Sequence, residues 1–77
     1  MNTNTEWTAF LKAAQAERIA GDCGGCANLA RMGAPMQCNR HRASAPDRMT
    51  RALALVTEFT ARGHADPRAA ALAAVGA

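Results

Sequence analysis

Apolar side chains recur at helical spacing in two parts of this chain. The first set, near the N-terminus, consists of Trp7, Phe10, Leu11 and Ala14. Because positions three and four residues apart lie on the same side of a helix, these side chains form one apolar face. Thr3 lies three residues before Glu6, which is the spacing of a capping box at a helix start. We therefore predict a first helix over residues 4–20.

A second and longer apolar stripe lies in the C-terminal half. It consists of Met49, Ala52, Leu53, Val56 and Phe59. Ser44 is a suitable N-cap for a helix here, Pro46 fits a first turn, and Asp47 suits the positive end of the helix dipole. Gly63 is a typical helix stop. These signals predict a second long helix that ends near Gly63.

The last part of the chain predicts a shorter helix. Asp66 and Pro67 have the order of a cap followed by a first-turn proline, and alanine-rich sequence continues to about Val75. The last two helices are expected to form a hairpin. No stretch alternates in the manner of a strand. We therefore predict a single all-α domain over residues 1–77, with two longer helices and a short C-terminal helix.

Residues 21–43 separate the two long helices and show no sustained period. Glycine and proline interrupt them repeatedly, which predicts a loop with at most a helical turn around residues 27–32. A loop of this length is uncommon inside a small domain unless something orders it. Many apolar residues of this 77-residue chain are alanines, which bury little surface. We therefore expect a domain that needs a staple in addition to its core.

This loop contains all three cysteines of the chain in a spacing typical of a metal site. The pattern C-x2-C-x11-C-x2-H is formed by Cys23, Cys26, Cys38 and His41. Three thiolates and one imidazole are a common ligand set for structural Zn²⁺. Gly24 and Gly25 are expected to help the chain turn by adopting positive φ. Because the protein would fill all four positions, we expect the zinc to hold structure rather than to catalyse a reaction.

Two other interpretations of these residues stay open. The cysteines could be small buried side chains with His41 on the surface, although this leaves their spacing and the long loop unexplained. The set could also hold an iron–sulfur cluster, although the ligands of such clusters are more often all cysteine. Zinc is therefore the preferred hypothesis.

The arrangement resembles zinc-knuckle and treble-clef-like modules over residues 22–42. In those modules, one cysteine pair occupies a tight turn and the second pair lies at or near a helix start. Cys23 and Cys26 would belong to the knuckle, and Cys38 and His41 would precede the helix capped by Ser44. The resemblance implies a zinc site with these four ligands. The chain departs from the treble clef in having no visible β-hairpin between the two pairs.

Positive charge is concentrated on and just after the cysteine segment. The chain has a net charge of +3, and its excess comes from Arg31, Arg40, Arg42, Arg48 and Arg51. Because arginine binds phosphate through paired hydrogen bonds, we interpret these residues as a face that contacts DNA or RNA. The alternative is an ordinary solvated surface, since the charge is modest and few aromatic residues are present to stack on bases.

A protein-binding adaptor or inhibitor, such as an accessory protein of a phage or plasmid, is the alternative function. The same arginines could contact an acidic protein surface. Met32 and Met36 lie near the metal site and could form an adaptable apolar patch. Met49 lies on the helical stripe and is expected in the core.

Other classes of function have little support in the sequence. No Ser-His-Asp triad or pair of carboxylates is evident, so we predict no enzyme and no small-molecule substrate. No apolar stretch is long enough to cross a membrane, and the polar N-terminus does not have the pattern of a secretory signal. The odd number of cysteines argues against a disulfide framework. This favours the cytoplasm, where thiols stay reduced.

Overall fold

A computed structural model describes residues 2–76 as five helices without a strand. The helices are α1 (Thr3–Ala20), α2 (Gly24–Arg31), α3 (Asn39–Ser44), α4 (Arg48–Ala61) and α5 (Pro67–Val75). The predicted all-α fold is confirmed, with α1 and α4 as its longer helices. Within residues 2–76, no helix combines the length and apolar character needed to span a membrane.

The apolar core lies where α1, α4 and α5 meet. α4 and α5 form the expected helical hairpin, and α1 packs against both of them. The buried members of the core are Trp7, Phe10, Ala14, Met49, Ala52, Ala71 and Leu72. The two stripes predicted from the sequence therefore belong to one core. Three of its seven buried members are alanines, so the area that it removes from water is small for its number of residues.

α1 begins one residue earlier than predicted. The side chain of Asn2 caps it by accepting a hydrogen bond from the backbone N–H of Asn4 (2.9 Å). The predicted capping by Thr3 is wrong, and the Thr3 hydroxyl instead donates to the carboxylate of Asp66 (2.9 Å). Because Asp66 is the N-cap of α5, this hydrogen bond joins the starts of α1 and α5.

α4 begins later than the sequence predicts. Its N-cap is Asp47, whose carboxylate accepts a hydrogen bond from the backbone N–H of Thr50 (2.9 Å). The predicted cap, Ser44, is the last residue of α3, and its hydroxyl donates to the carbonyl of Arg40 (2.8 Å). Pro46 consequently precedes the cap instead of lying in the first turn. Both aspartate and serine can accept a hydrogen bond from a free N–H at a helix start. Only the aspartate also places a negative charge at the positive end of the helix.

Residues 21–43, expected to be a loop, contain α2 and most of α3. α2 ends in a left-handed turn at Gly33 (φ 81°), where the backbone N–H of Ala34 donates to the carbonyl of Leu29 (2.9 Å). Gly24 and Gly25 are the first two residues of α2 and do not have positive φ. The expectation of positive φ at these two glycines is therefore wrong, because the chain turns toward the metal site by starting a helix.

Candidate metal centre

The four predicted metal ligands lie together. The Sγ atom of Cys38 is 3.5 Å from Sγ of Cys26, 3.9 Å from Sγ of Cys23 and 3.2 Å from Nδ1 of His41. All four ligand atoms lie within 4.8 Å of one another. Tetrahedral ligands of zinc, at about 2.3 Å for sulfur and about 2.0 Å for nitrogen, would be separated by about 3.5–3.8 Å. The group therefore has the dimensions needed to hold one metal ion.

Both ligand pairs occupy the same two positions of a helix. Cys23 is the N-cap of α2 and Cys38 is the N-cap of α3, while Cys26 and His41 are the third residues of those helices. Side chains at the N-cap and at the third position point toward each other, as they do in a capping box. The C-x2-C and C-x2-H spacings are thus consequences of helix geometry, and the starts of α2 and α3 converge on one point.

The backbone at these helix starts affects the cysteine thiols. The backbone N–H of Cys26 points at Sγ of Cys23 (3.5 Å) and lowers the pKa of the Cys23 thiol. At Cys26, the backbone N–H of Cys38 acts in the same direction, but burial and the neighbouring thiols together raise the pKa of this thiol. A bound cation removes the repulsion between adjacent thiolates and favours their deprotonated form. The close packing of three sulfur atoms therefore suits a cation at their centre.

The centre is partly shielded from solvent. Cys26 is buried, whereas the other three ligands are half-buried. All three cysteines have free thiols. A cleft of about 290 Å³ borders the centre, and Glu17, Asp22 and Arg48 are among the residues that line it together with Cys23. Glu17 and Arg48 form an ion pair, which joins α1 to the first turn of α4 beside the metal centre.

A buried arginine connects this part of the molecule to the helical core. The Arg18 side chain is 1% exposed. It donates to both carboxylate oxygens of Asp47 (2.8 and 3.0 Å) and to the backbone carbonyl of Pro35 (2.6 Å). These hydrogen bonds from the guanidinium of Arg18, together with that from the backbone N–H of Thr50, lower the pKa of Asp47 despite its partial burial. One side chain of α1 thus holds both the start of α4 and the segment before Cys38.

Gln37 completes this polar network next to the metal ligand Cys38. It is buried, and its Oε1 atom accepts hydrogen bonds from the backbone N–H of Asp47 (3.1 Å) and the hydroxyl of Thr50 (3.0 Å). Its amide group donates to the carbonyl of Ala45 (3.3 Å). The position of Cys38 is therefore coupled to the N-cap of α4.

Sequence reasoning did not identify Arg18 and Gln37 as structural residues. For Arg18 a signal was present, because it lies four residues after Ala14 on the same helix face as Trp7 and Phe10. A charged residue that continues an apolar stripe is expected to be buried and paired. For Gln37 there was no comparable signal, since its burial depends on the path of an irregular segment.

The predicted contact arginines have different environments. Arg31, Arg40, Arg42 and Arg51 are exposed, and none of them takes part in the ion pairs formed within residues 2–76. Arg48 differs, because it pairs with Glu17 and its guanidinium carbon lies 5.4 Å from the centre of the Phe10 ring. Arg40 and Arg42 flank the ligand His41 on α3.

The methionines and aromatic residues also differ in their exposure to solvent. Met32 is 72% exposed and Met36 is 47% exposed, whereas Met49 is 4% exposed in the core as expected. Trp7 and Phe10 are buried. Phe59 is half-buried, and its ring lies 4.7 Å from that of His64.

A scan of family models and searches of curated proteins and of solved structures find no match to this chain.

Proposed function

We propose that the chain is a small zinc-stabilised binding protein that acts through contacts with a partner and not through catalysis. The observation that carries this proposal is the convergence of one imidazole and three thiols within 4.8 Å. Four protein ligands fill a tetrahedral zinc site and leave no position for a substrate. Zinc is favoured over an iron–sulfur cluster by the single histidine and by the tetrahedral spacing of the ligand atoms. The free thiols suit a reducing compartment such as the cytoplasm.

A protein partner has the strongest support among the possible partners. Met32 and Met36 are large apolar side chains that remain exposed in the segment between the two candidate ligand pairs. Exposed methionines are typical of adaptable protein-binding surfaces. Arg42 extends this surface, since its guanidinium lies 3.9 Å from the sulfur of Met36. We therefore propose an adaptor or inhibitor that binds another protein through the surface ordered by the metal.

Nucleic-acid binding is the second candidate function. The exposed arginines Arg31, Arg40, Arg42 and Arg51 support it, because unpaired guanidinium groups bind phosphate well. Arg48 contributes less to this interpretation, since Glu17 compensates its charge. The burial of Trp7 and Phe10 leaves few aromatic groups to stack on bases.

The proposal is tested by metal analysis and by capture from a lysate of the source cells. We expect one zinc ion per chain in protein purified without a tag. We also expect a partner protein to stay bound after nuclease treatment. It should also stay bound when the salt concentration is raised from about 50 to about 200 mM, an increase that strongly weakens contacts with phosphate. Protein without stoichiometric zinc would remove the basis of the proposal.

The arginines provide the discriminating variants for the two candidate partners. Two results together would establish nucleic-acid binding. Capture would disappear after nuclease treatment, and the double variant Arg40→Gln and Arg42→Gln would lose binding to a short DNA duplex or RNA strand. The matched control is the double variant Lys12→Gln and Arg62→Gln. It removes the same charge from exposed positions on α1 and at the end of α4.

A further inference from the structure

The exposed methionines lie at the two ends of a short segment that connects α2 to Cys38. Met32 follows the last residue of α2, and Met36 lies two residues before the metal ligand. They are the two exposed large apolar side chains within residues 2–76. An exposed large apolar side chain marks an interaction site when it borders an apolar groove.

This segment has a fixed backbone. At its start, the backbone N–H of Ala34 donates to the carbonyl of Leu29, which closes the end of α2. In its middle, the carbonyl of Pro35 accepts a hydrogen bond from the buried Arg18. At its end, Gln37 is buried and hydrogen-bonded to the start of α4. The methionines are therefore presented by an ordered segment, which lowers the entropy lost when a partner binds.

An apolar groove of about 240 Å³ lies beside Met36. Pro35, Met36, Arg42, Thr50 and Leu53 line it. Leu53 belongs to the predicted apolar stripe of α4 but is only half-buried. The groove therefore offers part of an apolar helix face to an incoming side chain, with Met36 as a flexible wall that can adjust to the shape of that side chain.

The charge of this surface is positive. Arg42 lines the groove, its guanidinium donates to Oδ1 of Asn39 (2.6 Å), and it lies beside the sulfur of Met36. Arg31 adjoins Met32 in the chain and is exposed. Among residues 2–76, no carboxylate lines this groove or the neighbouring one formed around Ala34. A complementary partner must therefore bring negative charge together with an apolar side chain.

We infer that this groove surface, made of Pro35, Met36, Arg42 and Leu53, binds an acidic segment of a partner protein. One large apolar side chain of the partner enters the groove beside Met36, and an adjacent carboxylate pairs with Arg42. This inference rests on the proposed protein-binding function and names the chemistry of its partner. A protein segment fits better than a nucleic acid, because phosphate groups gain nothing from methionine and the surface has no exposed aromatic ring.

A random peptide library displayed on phage and selected on immobilised zinc-loaded protein tests this inference. We expect the enriched peptides to combine a large apolar residue with a neighbouring aspartate or glutamate. A synthetic enriched peptide should bind about tenfold or more weakly to Met36→Gln and to Arg42→Gln, since both replace central contacts. Binding to the control Arg62→Gln should be unchanged. Zinc content and circular dichroism establish that each variant is folded.

The methionine methyl groups give a direct readout of where the peptide binds. With ¹³C-methyl labelling, the signal of Met36 should shift on peptide addition, while that of the buried Met49 should stay in place. Replacing the glutamates of the peptide by glutamine should weaken binding, and replacing its large apolar residue by alanine should abolish it.

Two sets of results would overturn the inference and can be told apart. Enriched peptides that lack acidic residues, or that bind Met36→Gln and Arg42→Gln normally, would refute the acidic-partner inference while the protein-binding function stands. A library that yields no enriched peptide, combined with methyl shifts on addition of a short DNA duplex, would refute the inference and the protein-binding function together.

Discussion

Two regions of this protein hold their helices together by different means. In the apolar region, α1, α4 and α5 share one core built around Trp7 and Phe10. In the metal region, residues 21–45, the helices α2 and α3 converge on four candidate metal ligands. Within the described chain, the core contains no side chain between positions 15 and 48. The two regions therefore differ in what holds their helices together, although α1 packs against α2 as well as against α4 and α5.

The metal region buries only small apolar side chains of its own. α3 has no buried residue, and the buried residues of α2 are Cys26, Ala27 and Ala30. A buried alanine contributes much less than a buried leucine or phenylalanine, because the contribution scales with apolar area. A structural zinc ion contributes an apparent 10–16 kcal/mol in finger peptides, roughly the stability of a whole small domain. A metal ion bound at this centre would therefore supply stability that the small side chains of this region cannot.

The largest expected effect follows from removing the metal. Replacement of Cys26 by serine, or treatment with a strong chelator, should remove an amount of stability of the order of 10 kcal/mol from the metal region. NMR amide signals of α2 and α3 should collapse to the unfolded range, and the thermal transition should lose its cooperativity. Because the Cβ added by Gly24→Ala meets no atom within 4 Å, this control should retain zinc. Unchanged α2 and α3 signals without zinc would show that the metal does not hold this region.

The polar contacts between the two regions should have the next largest effect. Arg18→Met leaves Asp47 without its partner and the carbonyl of Pro35 without its donor. Breaking a buried ion pair from one side costs about 3–5 kcal/mol. Urea unfolding at saturating zinc measures this loss. Arg62→Met provides the control, since it removes an exposed pair with Glu58 whose contribution is about 0.5 kcal/mol or less.

A comparable loss in Arg18→Met and Arg62→Met would contradict the role assigned to Arg18. A large loss confined to Arg18→Met, with zinc affinity also reduced, would support it. The reduction in affinity is expected because Arg18 orders Pro35, three residues before Cys38. This result would establish that the apolar region helps to position the metal ligands.

The contribution of Asp47 to stability should depend on pH differently from zinc affinity, and this effect should be smaller than that of Arg18→Met. The pKa of Asp47 is lowered in the folded protein. Its stabilising contribution is therefore complete above the unfolded pKa of about 3.9 and is lost only as pH falls through the folded value. Asp47→Asn keeps an oxygen for the helix cap but leaves the buried guanidinium of Arg18 without a charged partner, for an expected cost of about 3 kcal/mol. This difference from the wild type should be constant between about pH 7 and about pH 5.

Zinc affinity should fall over the same pH interval in both proteins, because protons compete with the metal for thiolates and imidazole. Zinc competition and urea unfolding, measured on the same samples, check the two expectations separately. A difference between wild type and Asp47→Asn that shrinks well above the ordinary carboxylate pKa would contradict the lowered pKa of Asp47.

The sequence predicted the apolar region well because its signals are periodic. The stripes around Phe10 and Met49 and the cap at Asp66 all appear in the structure. It also predicted which four residues come together as candidate metal ligands. These predictions depend on spacing alone, and spacing is a local property of the chain.

The structure of the metal region was harder to predict. α2 and α3 are too short to show an apolar stripe, and the residues at their N-cap positions are Cys23 and Cys38. Cysteine is not among the preferred N-cap residues, so no more than a helical turn around residues 27–32 was expected within residues 21–43. The position of Asp47 as the cap of α4 depends on Arg18, which is 29 residues away in the chain. Contacts of this kind cannot be read from local patterns.

The smallest expected effects come from two glycines that form a matched pair. Gly33 in the metal region has φ 81° and Gly63 in the apolar region has φ 79°, and an added Cβ would meet nothing within 4 Å at either position. Alanine at each should therefore cost the same, about 1 kcal/mol for the left-handed backbone. The two substitutions deliver an equal perturbation to the two regions, which makes their consequences directly comparable.

If the two regions open independently, the destabilisation caused by each alanine should be detected only in the region that carries it. Gly33→Ala should weaken zinc binding about fivefold and speed hydrogen exchange in α2 and α3, because folding of this region is coupled to the metal. Gly63→Ala should speed exchange in α4 and α5 and leave zinc affinity unchanged. Equal weakening of zinc binding by both variants would instead mean that the protein opens as one unit. The contacts of Arg18 with Asp47 and Pro35 would then join the two regions into one cooperative unit.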